Sequence, residues 1–263
     1  MFFINWLHTF EPSRIAFTLA GLPIYWYGLG YAVALFLAWA LGRRLVGKER
    51  ALAWEEVWWW GALAGLLGAR LYFVFILEPI YFWHHPFEIL AVWHGGMAIH
   101  GGVIGGVIGI WYTTKKLQSV WFWLDVAAPV LALGQAIGRW GNYFNQEVYG
   151  KLTTLPWGIP IGGQIGYFHP TFLYESALDL ILAIILWRLF RRAKQLAWRP
   201  GRVVSIYLVG YGIIRFVMEF FRIDQTLSFG VLRLPQLVSL VMIVAGVYTY
   251  HYVSRFSTTT TGI

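Results

Sequence analysis

Two short stretches of a largely apolar chain carry side chains that can bind an anion. The stretch RWGNYFNQEVYG, residues 139–150, combines an arginine with two asparagines, a glutamine and a glutamate. Farther along, four polar residues are spaced four, four and three apart: Tyr211, Arg215, Glu219 and Arg222. In an α-helix this spacing confines them to about 80° of one face. Because arginine binds phosphate through paired hydrogen bonds, both stretches suit a phosphate-bearing ligand.

The helical stripe also has a purely structural interpretation. Glu219 lies four residues after Arg215 and three before Arg222, so it can neutralise either arginine on the helix surface. That pairing does not explain why two arginines share one face with Tyr211. Both interpretations of Glu219 and Arg222, a gate and a structural ion pair, therefore stay open.

The composition is that of a membrane protein. Of the 263 residues, 59% are hydrophobic and only 12% are charged, whereas soluble domains have about 25% charged residues. The 16 tryptophans fit the aromatic belts found at membrane interfaces. The net charge of +8 comes from short basic clusters between apolar runs, which argues against a nucleic-acid partner. Since cysteine is absent, any thiol chemistry must use the thiol of a substrate.

Seven segments are apolar and long enough to cross a membrane as helices, which takes about 20 residues each. They are residues 20–41, 57–77, 93–113, 121–140, 172–190, 203–221 and 234–253. We therefore expect an all-α polytopic membrane protein with seven transmembrane helices, forming one integral-membrane domain over residues 1–263. The N-terminal sequence has no charged region followed by an apolar core and cleavage site, so we expect no signal peptide.

Lysine and arginine concentrate in the loops on one side of this arrangement, and such loops are cytoplasmic. These basic residues are Arg43, Arg44, Lys48, Arg50, Lys115, Lys116, Arg188, Arg191, Arg192, Lys194, Arg199, Arg202 and Arg255. The opposite loops hold Arg14, Lys151, Arg222 and Arg233. The N-terminus is therefore predicted outside and the C-terminus in the cytoplasm. Residues 1–17 are expected to lie along the outer interface, and residues 141–171 to form a small outward-facing cap.

Ionisable residues inside membrane spans are expensive, so they are functional candidates. Those in the predicted spans, together with one tyrosine, are Tyr27, Arg70, His100, Arg139, Glu175, Arg215 and Glu219. Counted at about 1.5 Å per residue, they lie toward the outer ends, while the inner halves carry almost nothing ionisable. The polar site is thus expected to open outward. The glycines at 101, 105 and 109, spaced by four, predict close helix packing.

The stretch GRWGNYFNQEVYG closely resembles the signature of prolipoprotein diacylglyceryl transferases. The matching residues are Arg139, Asn142, Asn145, Glu147 and Gly150. One position departs, because Tyr143 stands where the family usually has phenylalanine. The segments WYGLGY, GGMAIHGG, HPTFLYES and RFVMEFFRID also resemble the family, and the resemblance covers essentially the whole chain.

The resemblance implies a reaction, its partners and its location. Members of the family transfer a diacylglyceryl group from phosphatidylglycerol to the thiol of the lipobox cysteine in a prolipoprotein, forming a thioether and releasing glycerol phosphate. The implied partners are phosphatidylglycerol, the prolipoprotein signal peptide and the lipid bilayer, with no cofactor and no metal. The implied location is the bacterial cytoplasmic membrane, with the active site on its outer side.

This chemistry suggests a role for each candidate residue. Arg139 and Arg215 would bind the headgroup phosphate, and Asn142 and Asn145 the glycerol or ester oxygens. Glu147 would orient Arg139 or bind a headgroup hydroxyl. His100 would accept the thiol proton, although it could instead only hydrogen-bond lipid or a neighbouring helix. Tyr27 and Tyr211 are expected to support the site, and Glu219 and Arg222 to form a gate or an ion pair. Arg70 is a functional candidate that could equally be a structural partner of Glu175.

Two other classes use the same polar pocket. A transporter or flippase would need polar residues continuing to the inner side and paired broken helices. A phospholipid-binding scaffold would use the arginines only to anchor headgroups. The inner halves of the predicted spans carry almost no ionisable residues, which counts against a transporter.

Overall fold

The computed structural model describes residues 8–92, 95–115, 120–193, 195, 198–224 and 226–255. The first seven residues of the predicted outer arm lie outside these ranges, as do the predicted cytoplasmic residues Lys116 and Lys194.

Helices dominate the described residues. They are α1 Trp26–Val46, α2 Ala51–Tyr72, α3 Pro79–His84, α4 Ile99–Thr114, α5 Val120–Asn145, α6 Thr171–Ala193, α7 Arg202–Met218 and α8 Leu234–Arg255. All except the short α3 overlap one of the seven predicted spans. A π-helical turn at Phe73–Leu77 continues α2, and short 3-10 helices occupy Lys48–Arg50 and Pro86–Leu90.

By length and composition, four helices of the described chain can cross a membrane. They are Trp26–Val46, Lys48–Leu77, Val120–Asn145 and Leu234–Arg255, the second comprising α2 with its flanking turns. Such helices need about 20 mostly apolar residues, which α4 and α7, with 16 and 17 residues, do not reach. Four apolar spans make the chain a multi-pass membrane protein.

Three antiparallel hairpins join the helices. The strands are β1 Ile15–Leu19, β2 Leu22–Tyr25, β3 Ile159–Pro160, β4 Tyr167–Phe168, β5 Ser228–Phe229 and β6 Leu232–Arg233, paired in sequence order. In the first hairpin Leu19 pairs with Leu22, and both turn residues, Ala20 and Gly21, have positive φ. That geometry suits the right-handed twist of a two-residue hairpin. The expected start of the first span at residue 20 is therefore wrong, because residues 22–25 are a strand and the helix begins at Trp26.

The chain divides into two compact units, one of residues 1–41 and 125–263 and the other of residues 42–124. In the second unit α2 and α4 pack through glycines. A Cβ on Gly101 would overlap the carbonyl oxygen of Gly68, and one on Gly105 would overlap that of Ala64. The prediction that these glycines permit close helix packing is confirmed.

In the first unit, α5, α6 and α7 enclose the core. Its buried residues are Ala128, Ala132, Leu182, Ala183, Leu186, Val203 and Tyr207. At one end of this core the buried carboxylate of Asp125 accepts hydrogen bonds from the backbone N–H groups of Gly201 and Val204, each at 2.7 Å. These N–H groups lie at the start of α7 and have no partner within the helix. Asp125 therefore caps α7 from a neighbouring helix.

The predicted cap contains the β3–β4 hairpin and a second small core. The buried side chains of this core are Tyr143, Ile159, Ile161, Phe168 and Phe172. They come from the end of α5, both strands and the start of α6, so the segment between α5 and α6 is anchored on the two helices that it connects.

Candidate active site

The first unit contains a group of paired charges that we call the arginine–carboxylate cluster. Its members are Arg139, Glu175, Arg215, Glu219, Arg222, Asp224 and Arg233. Arg139 comes from the last turns of α5, Glu175 from the second turn of α6 and Arg215 from the last turn of α7. The other four follow α7 along the chain. Three helix ends and the segment after α7 thus deliver the charges to one place.

Glu175 is the centre of the cluster. Its Oε2 atom lies 2.6 Å from Nε of Arg139, and its Oε1 atom lies 3.2 Å from Nη1 of Arg222 and 3.8 Å from Nη1 of Arg215. The Glu175 side chain is only 2% exposed. A buried carboxylate needs charged partners, and here one carboxylate serves three arginines. The expectation that Arg70 pairs with Glu175 is wrong, because Arg139, Arg215 and Arg222 are the ion-pair partners of Glu175 in the described chain.

Two further carboxylates, those of Glu219 and Asp224, pair with arginines of the cluster. Glu219 lies 2.9 Å from Nη2 of Arg215 and 3.3 Å from Nη1 of Arg233. Arg222 donates from Nε to Asp224 at 2.7 Å. The predicted pairing of Glu219 with Arg215 is confirmed. Arg233, which comes from β6, was not predicted, because nothing in its local sequence indicates that the chain returns to this point.

Arg222 reaches the cluster by a different route from the predicted helical stripe. Helix α7 ends at Met218, and Arg222 forms an isolated antiparallel bridge with Gly150. A Cβ on Gly150 would lie 2.7 Å from Cβ of His169 and 3.0 Å from the carbonyl oxygen of Phe221. The glycine that ends the signature therefore lets two chain segments approach closely. The prediction that α7 continues to residue 221 is wrong.

The arginines of the cluster differ in how far their donors are used. Arg222 and Arg233 donate hydrogen bonds to carboxylates, and Arg233 also donates to the carbonyl oxygen of Arg222. Arg139 and Arg215 lie in ion pairs, but their side chains donate no well-aligned hydrogen bond to a described residue, and only one or two N–H groups of each guanidinium face a carboxylate. A guanidinium has five N–H donors, and an unsatisfied buried donor costs about 1–3 kcal/mol. These two arginines therefore have unused binding capacity.

Asp179 is a further acidic residue that was not singled out from the sequence. It lies four residues after Glu175 on α6, fully buried, and neither carboxyl oxygen has a hydrogen-bond partner among the described residues. It lies within electrostatic range of Arg139 and Arg215. The available signal was its i+4 spacing from Glu175, which places both on one face of α6.

The signature stretch forms its own small hydrogen-bond network. Glu147 Oε1 accepts from Nδ2 of Asn142 at 2.9 Å and from Nδ2 of Asn145 at 3.5 Å. The backbone of Gln146 and Val148 has positive φ, an uncommon conformation for these residue types. Glu147 is therefore held by the two amides, while the carboxylate that orients Arg139 is that of Glu175.

The two predicted supporting tyrosines both lie near Arg139. The ring of Tyr27 covers Gly141, where a Cβ would overlap it, and Tyr27 is within electrostatic range of Glu147 and Arg139. Tyr211 lies near Arg139 and Arg215, with its ring stacked on that of Tyr207 at 5.8 Å. Tyr27, Tyr211, Asn142 and Glu147 thus belong to the same unit as the cluster.

His100 belongs to the second unit, in the first turn of α4. Its side chain is exposed and makes no hydrogen bond to a described residue, and its ring centroid lies 5.9 Å from that of Tyr72. The imidazole is thus accessible from outside the described chain. Across the described ranges, no group of three or more His, Asp or Glu side chains is placed to hold a metal ion.

The protein has several helices that are long and apolar enough to cross a membrane, so it is a multi-pass membrane protein. Its arginines with unused donors form a site suited to an anion. A family model described as prolipoprotein diacylglyceryl transferase matches residues 14–252. The chain belongs to this family.

Three relatives agree with this assignment. A protein of Synechococcus elongatus is 42% identical over 252 residues, which cover 90% of this chain and 86% of that protein. One from Symbiobacterium thermophilum is 42% identical over 246 residues, covering 88% and 89%, and one from Finegoldia magna is 39% identical over 238 residues, covering 89% and 93%. All three are named phosphatidylglycerol–prolipoprotein diacylglyceryl transferase.

Proposed function

We propose that this protein transfers the diacylglyceryl group of phosphatidylglycerol to the thiol of a prolipoprotein lipobox cysteine. The sulfur attacks a saturated glyceryl carbon and forms the thioether bond. The bond between that carbon and the phosphate oxygen breaks, and its electron pair leaves with glycerol phosphate. Family membership and the names of the relatives support the reaction. The observation that carries the site assignment is the unused donor capacity of Arg139 and Arg215.

Arg139 and Arg215 bind the phosphate in this proposal. Negative charge grows on the phosphate oxygen as the bond to carbon breaks, so prepositioned donors stabilise the transition state more than the substrate. Glu175 orients Arg139 through Nε, and Glu219 orients Arg215 through Nη2. The remaining N–H groups of the two guanidinium groups donate no hydrogen bond to a described residue. Arg222 and Arg233, whose donors are engaged, hold the segment after α7 in place. Glu219 and Arg222 then belong to structural ion pairs and not to a gate.

The signature amides bind the neutral part of the lipid. Asn142 and Asn145 each point an Nδ2 donor at Glu147, and each side chain keeps a carbonyl oxygen that can accept from a glycerol hydroxyl. Glu147 is exposed and can accept from a headgroup hydroxyl. Tyr27 lies beside Arg139, and Tyr211 lies beside Arg139 and Arg215, and we assign both tyrosines to positioning these guanidinium groups.

His100 is the proposed base for the substrate thiol. A free cysteine thiol has a pKa of about 8.5, so attack at neutral pH is faster when a base removes the proton. The exposed imidazole of His100 makes no hydrogen bond to a described residue that would prevent this. The proton leaves sulfur for an imidazole nitrogen and is later released to solvent or to the leaving phosphate.

The membrane arrangement is also a proposal. Seven crossings, an outer N-terminus and a cytoplasmic C-terminus follow from the apolar segments and the basic loops. This topology places the arm of residues 1–17 and the cap of residues 141–171 on the outer side of the cytoplasmic membrane, where prolipoproteins emerge. The chain acts as one integral-membrane domain, without a cofactor.

A reconstituted assay tests the proposal. Purified protein, phosphatidylglycerol and a lipobox peptide are incubated together, and mass spectrometry monitors the peptide for a diacylglyceryl adduct on cysteine. Arg139→Ala is expected to abolish the adduct, whereas Arg191→Ala, at the far end of α6, is expected to leave it unchanged. If the unmodified protein forms no adduct across several detergents and lipid mixtures, the transferase is refuted in favour of a flippase or a lipid-binding scaffold.

A further inference from the structure

Arg70, in the second unit, is a buried arginine whose hydrogen bonds all go to backbone carbonyl groups, with its guanidinium 5.1 Å from the ring centroid of Phe82. It lies near the end of α2, is 6% exposed, and has no carboxylate partner among the described residues. Its acceptors are the carbonyl oxygens of Glu88 (2.5 Å), Ile89 (3.0 Å), Ala91 (3.4 Å), Gly95 (2.6 Å) and Gly96 (2.9 Å). Five acceptors match the five N–H donors of a guanidinium. Arg70 is therefore fully engaged and has no donor left for a ligand.

These hydrogen bonds shape the chain that leads into α4. Gly95 and Gly96 have φ of 88° and 74°, a conformation that glycine adopts without strain and that turns their carbonyl oxygens toward Arg70. A Cβ on Gly96 would lie 2.6 Å from Nη1 of Arg70 and 2.7 Å from Cε1 of Phe73. The glycine at 96 is thus required by the position of the guanidinium.

Backbone contacts with the residues of α2 that precede Arg70 fix the chain on both sides of His100. Before it, the N–H group of Ala98 donates to the carbonyl oxygen of Ala69 at 3.0 Å, and Ala69 directly precedes Arg70. After it, Gly101 lies so close to Gly68 that a Cβ would overlap the Gly68 carbonyl oxygen. This backbone sets where the Cα–Cβ bond of His100 lies, and the ring itself is 5.9 Å from that of Tyr72, the residue that ends α2.

We infer that Arg70 is a positioning residue for the imidazole of His100. This inference rests on the proposed function, in which His100 takes the proton of the substrate thiol. By holding the carbonyl oxygens of Gly95 and Gly96, Arg70 fixes where α4 begins and therefore the backbone position from which the imidazole extends. Misplacing a catalytic group by about 1 Å costs on the order of 100-fold in rate.

The kinetic test is a double-mutant comparison. Arg70→Gln, which cannot reach five carbonyl groups, is expected to lower kcat on the order of 100-fold with KM for phosphatidylglycerol unchanged. Arg70→Lys keeps the charge but not the planar donor set, so it should recover only part of kcat. The double variant Arg70→Gln/His100→Gln should be no slower than His100→Gln alone. Arg43→Gln, which alters an exposed ion pair with Glu55 in the same unit, is the control expected to keep full activity.

A labelling test measures the position of residue 100 without activity. Because the chain has no cysteine, His100→Cys carries a single thiol whose alkylation rate can be measured in detergent. Adding Arg70→Gln is expected to change that rate several-fold. The rate of Tyr112→Cys, on an exposed position at the other end of α4, should stay the same.

The outcomes separate the two hypotheses. If the unmodified protein forms no adduct, the proposed function is refuted. If His100→Gln keeps full activity, His100 is not the base and this inference is overturned with it. Three results would overturn only the positioning role of Arg70. The first is a low kcat for His100→Gln with a normal kcat for Arg70→Gln, and the second is a double variant whose loss of kcat is the product of the two single losses. The third is an alkylation rate at residue 100 that Arg70→Gln does not change.

Discussion

Arg70 and Arg139 are both charged groups in apolar surroundings, and the protein satisfies them in opposite ways. Arg70 is enclosed by five neutral carbonyl groups that use all its donors. Arg139 is paired with one carboxylate, whose oxygen lies 2.6 Å from Nε, and it donates no well-aligned hydrogen bond to a described residue. The Arg139 side chain is also the more open of the two, at 19% exposed.

This difference separates a structural arginine from one that can bind a ligand. The carbonyl groups around Arg70 belong to the folded backbone, so removing Arg70 would leave five backbone acceptors without their donor. A side-chain carboxylate balances the charge of Arg139 while leaving N–H donors for a phosphate, which is itself an anion and bonds arginine in the same paired geometry. The number of hydrogen bonds that an arginine already donates is therefore more informative about its role than its burial or its depth in a span.

The largest expected effect is on stability and concerns Arg70. Arg70→Ala should lower the free energy of unfolding by roughly 3–5 kcal/mol, because five carbonyl groups lose a charged donor at about 1 kcal/mol each. Unfolding in detergent, followed by tryptophan fluorescence, measures it. Arg139→Ala, which leaves Glu175 paired with Arg215 and Arg222, should change stability far less. Equal losses in the two variants would remove the distinction between the two environments.

The next effect is on the reaction and concerns Arg139. Arg139→Ala should lower kcat/KM by about 100- to 1,000-fold, the usual cost of one transition-state donor, equivalent to about 3–4 kcal/mol. Initial rates of adduct formation at varied phosphatidylglycerol concentrations provide the measurement. Full activity in this variant would show that unused donors do not mark the phosphate site.

A smaller effect is expected for Arg233, whose Nη1 group already donates to Glu219 and to the carbonyl oxygen of Arg222. Arg233→Gln should slow transfer by about 10-fold or less, since a half-exposed ion pair is worth about 1 kcal/mol. The same rate assay applies, with Arg139→Ala measured alongside. A loss as large as that of Arg139→Ala would mean that engaged arginines also contact the substrate.

The smallest effect is expected for Asp179, which is buried but has no hydrogen-bond partner among the described residues. Asp179→Asn keeps the shape and breaks no hydrogen bond, so kcat/KM should change by less than about 5-fold, corresponding to roughly 1 kcal/mol. A loss above 100-fold would identify Asp179 as an essential counter-charge of Arg139 and Arg215, and would extend the cluster one turn along α6.

Much of the site was predictable because its signals are local. The signature and the α7 spacing both contain polar residues that an apolar helix would otherwise exclude, and they led to Arg139, Asn142, Glu147, Arg215 and Glu219. The pairing of Glu219 with Arg215 follows from helix geometry alone. The positions of seven helices followed from hydropathy, although their ends did not. Residues 22–25 are as apolar as a span, and a two-residue turn with positive φ makes them a strand instead.

Other features depend on contacts between residues far apart in sequence. Three features of the site join distant segments of the chain. Glu175 is shared by three arginines, Arg233 is a member of the cluster, and Gly150 is the contact point for Arg222. Hydropathy and spacing report only on neighbours along the chain. They could not show that α7 ends at Met218, nor that Asp125 caps α7 from α5.

The sequence alone determined the membrane class, the family and the charged residues available, because composition and motif spacing are properties of the chain itself. Only the tertiary structure decided what each charge does. Arg70, Arg139 and Arg215 are the same residue type, and all lie in the outer halves of their predicted spans. The folded backbone surrounds Arg70 with carbonyl groups and leaves donors of Arg139 and Arg215 unused, because hydrogen bonds are short and directional and depend on which distant atoms the fold brings within about 3 Å.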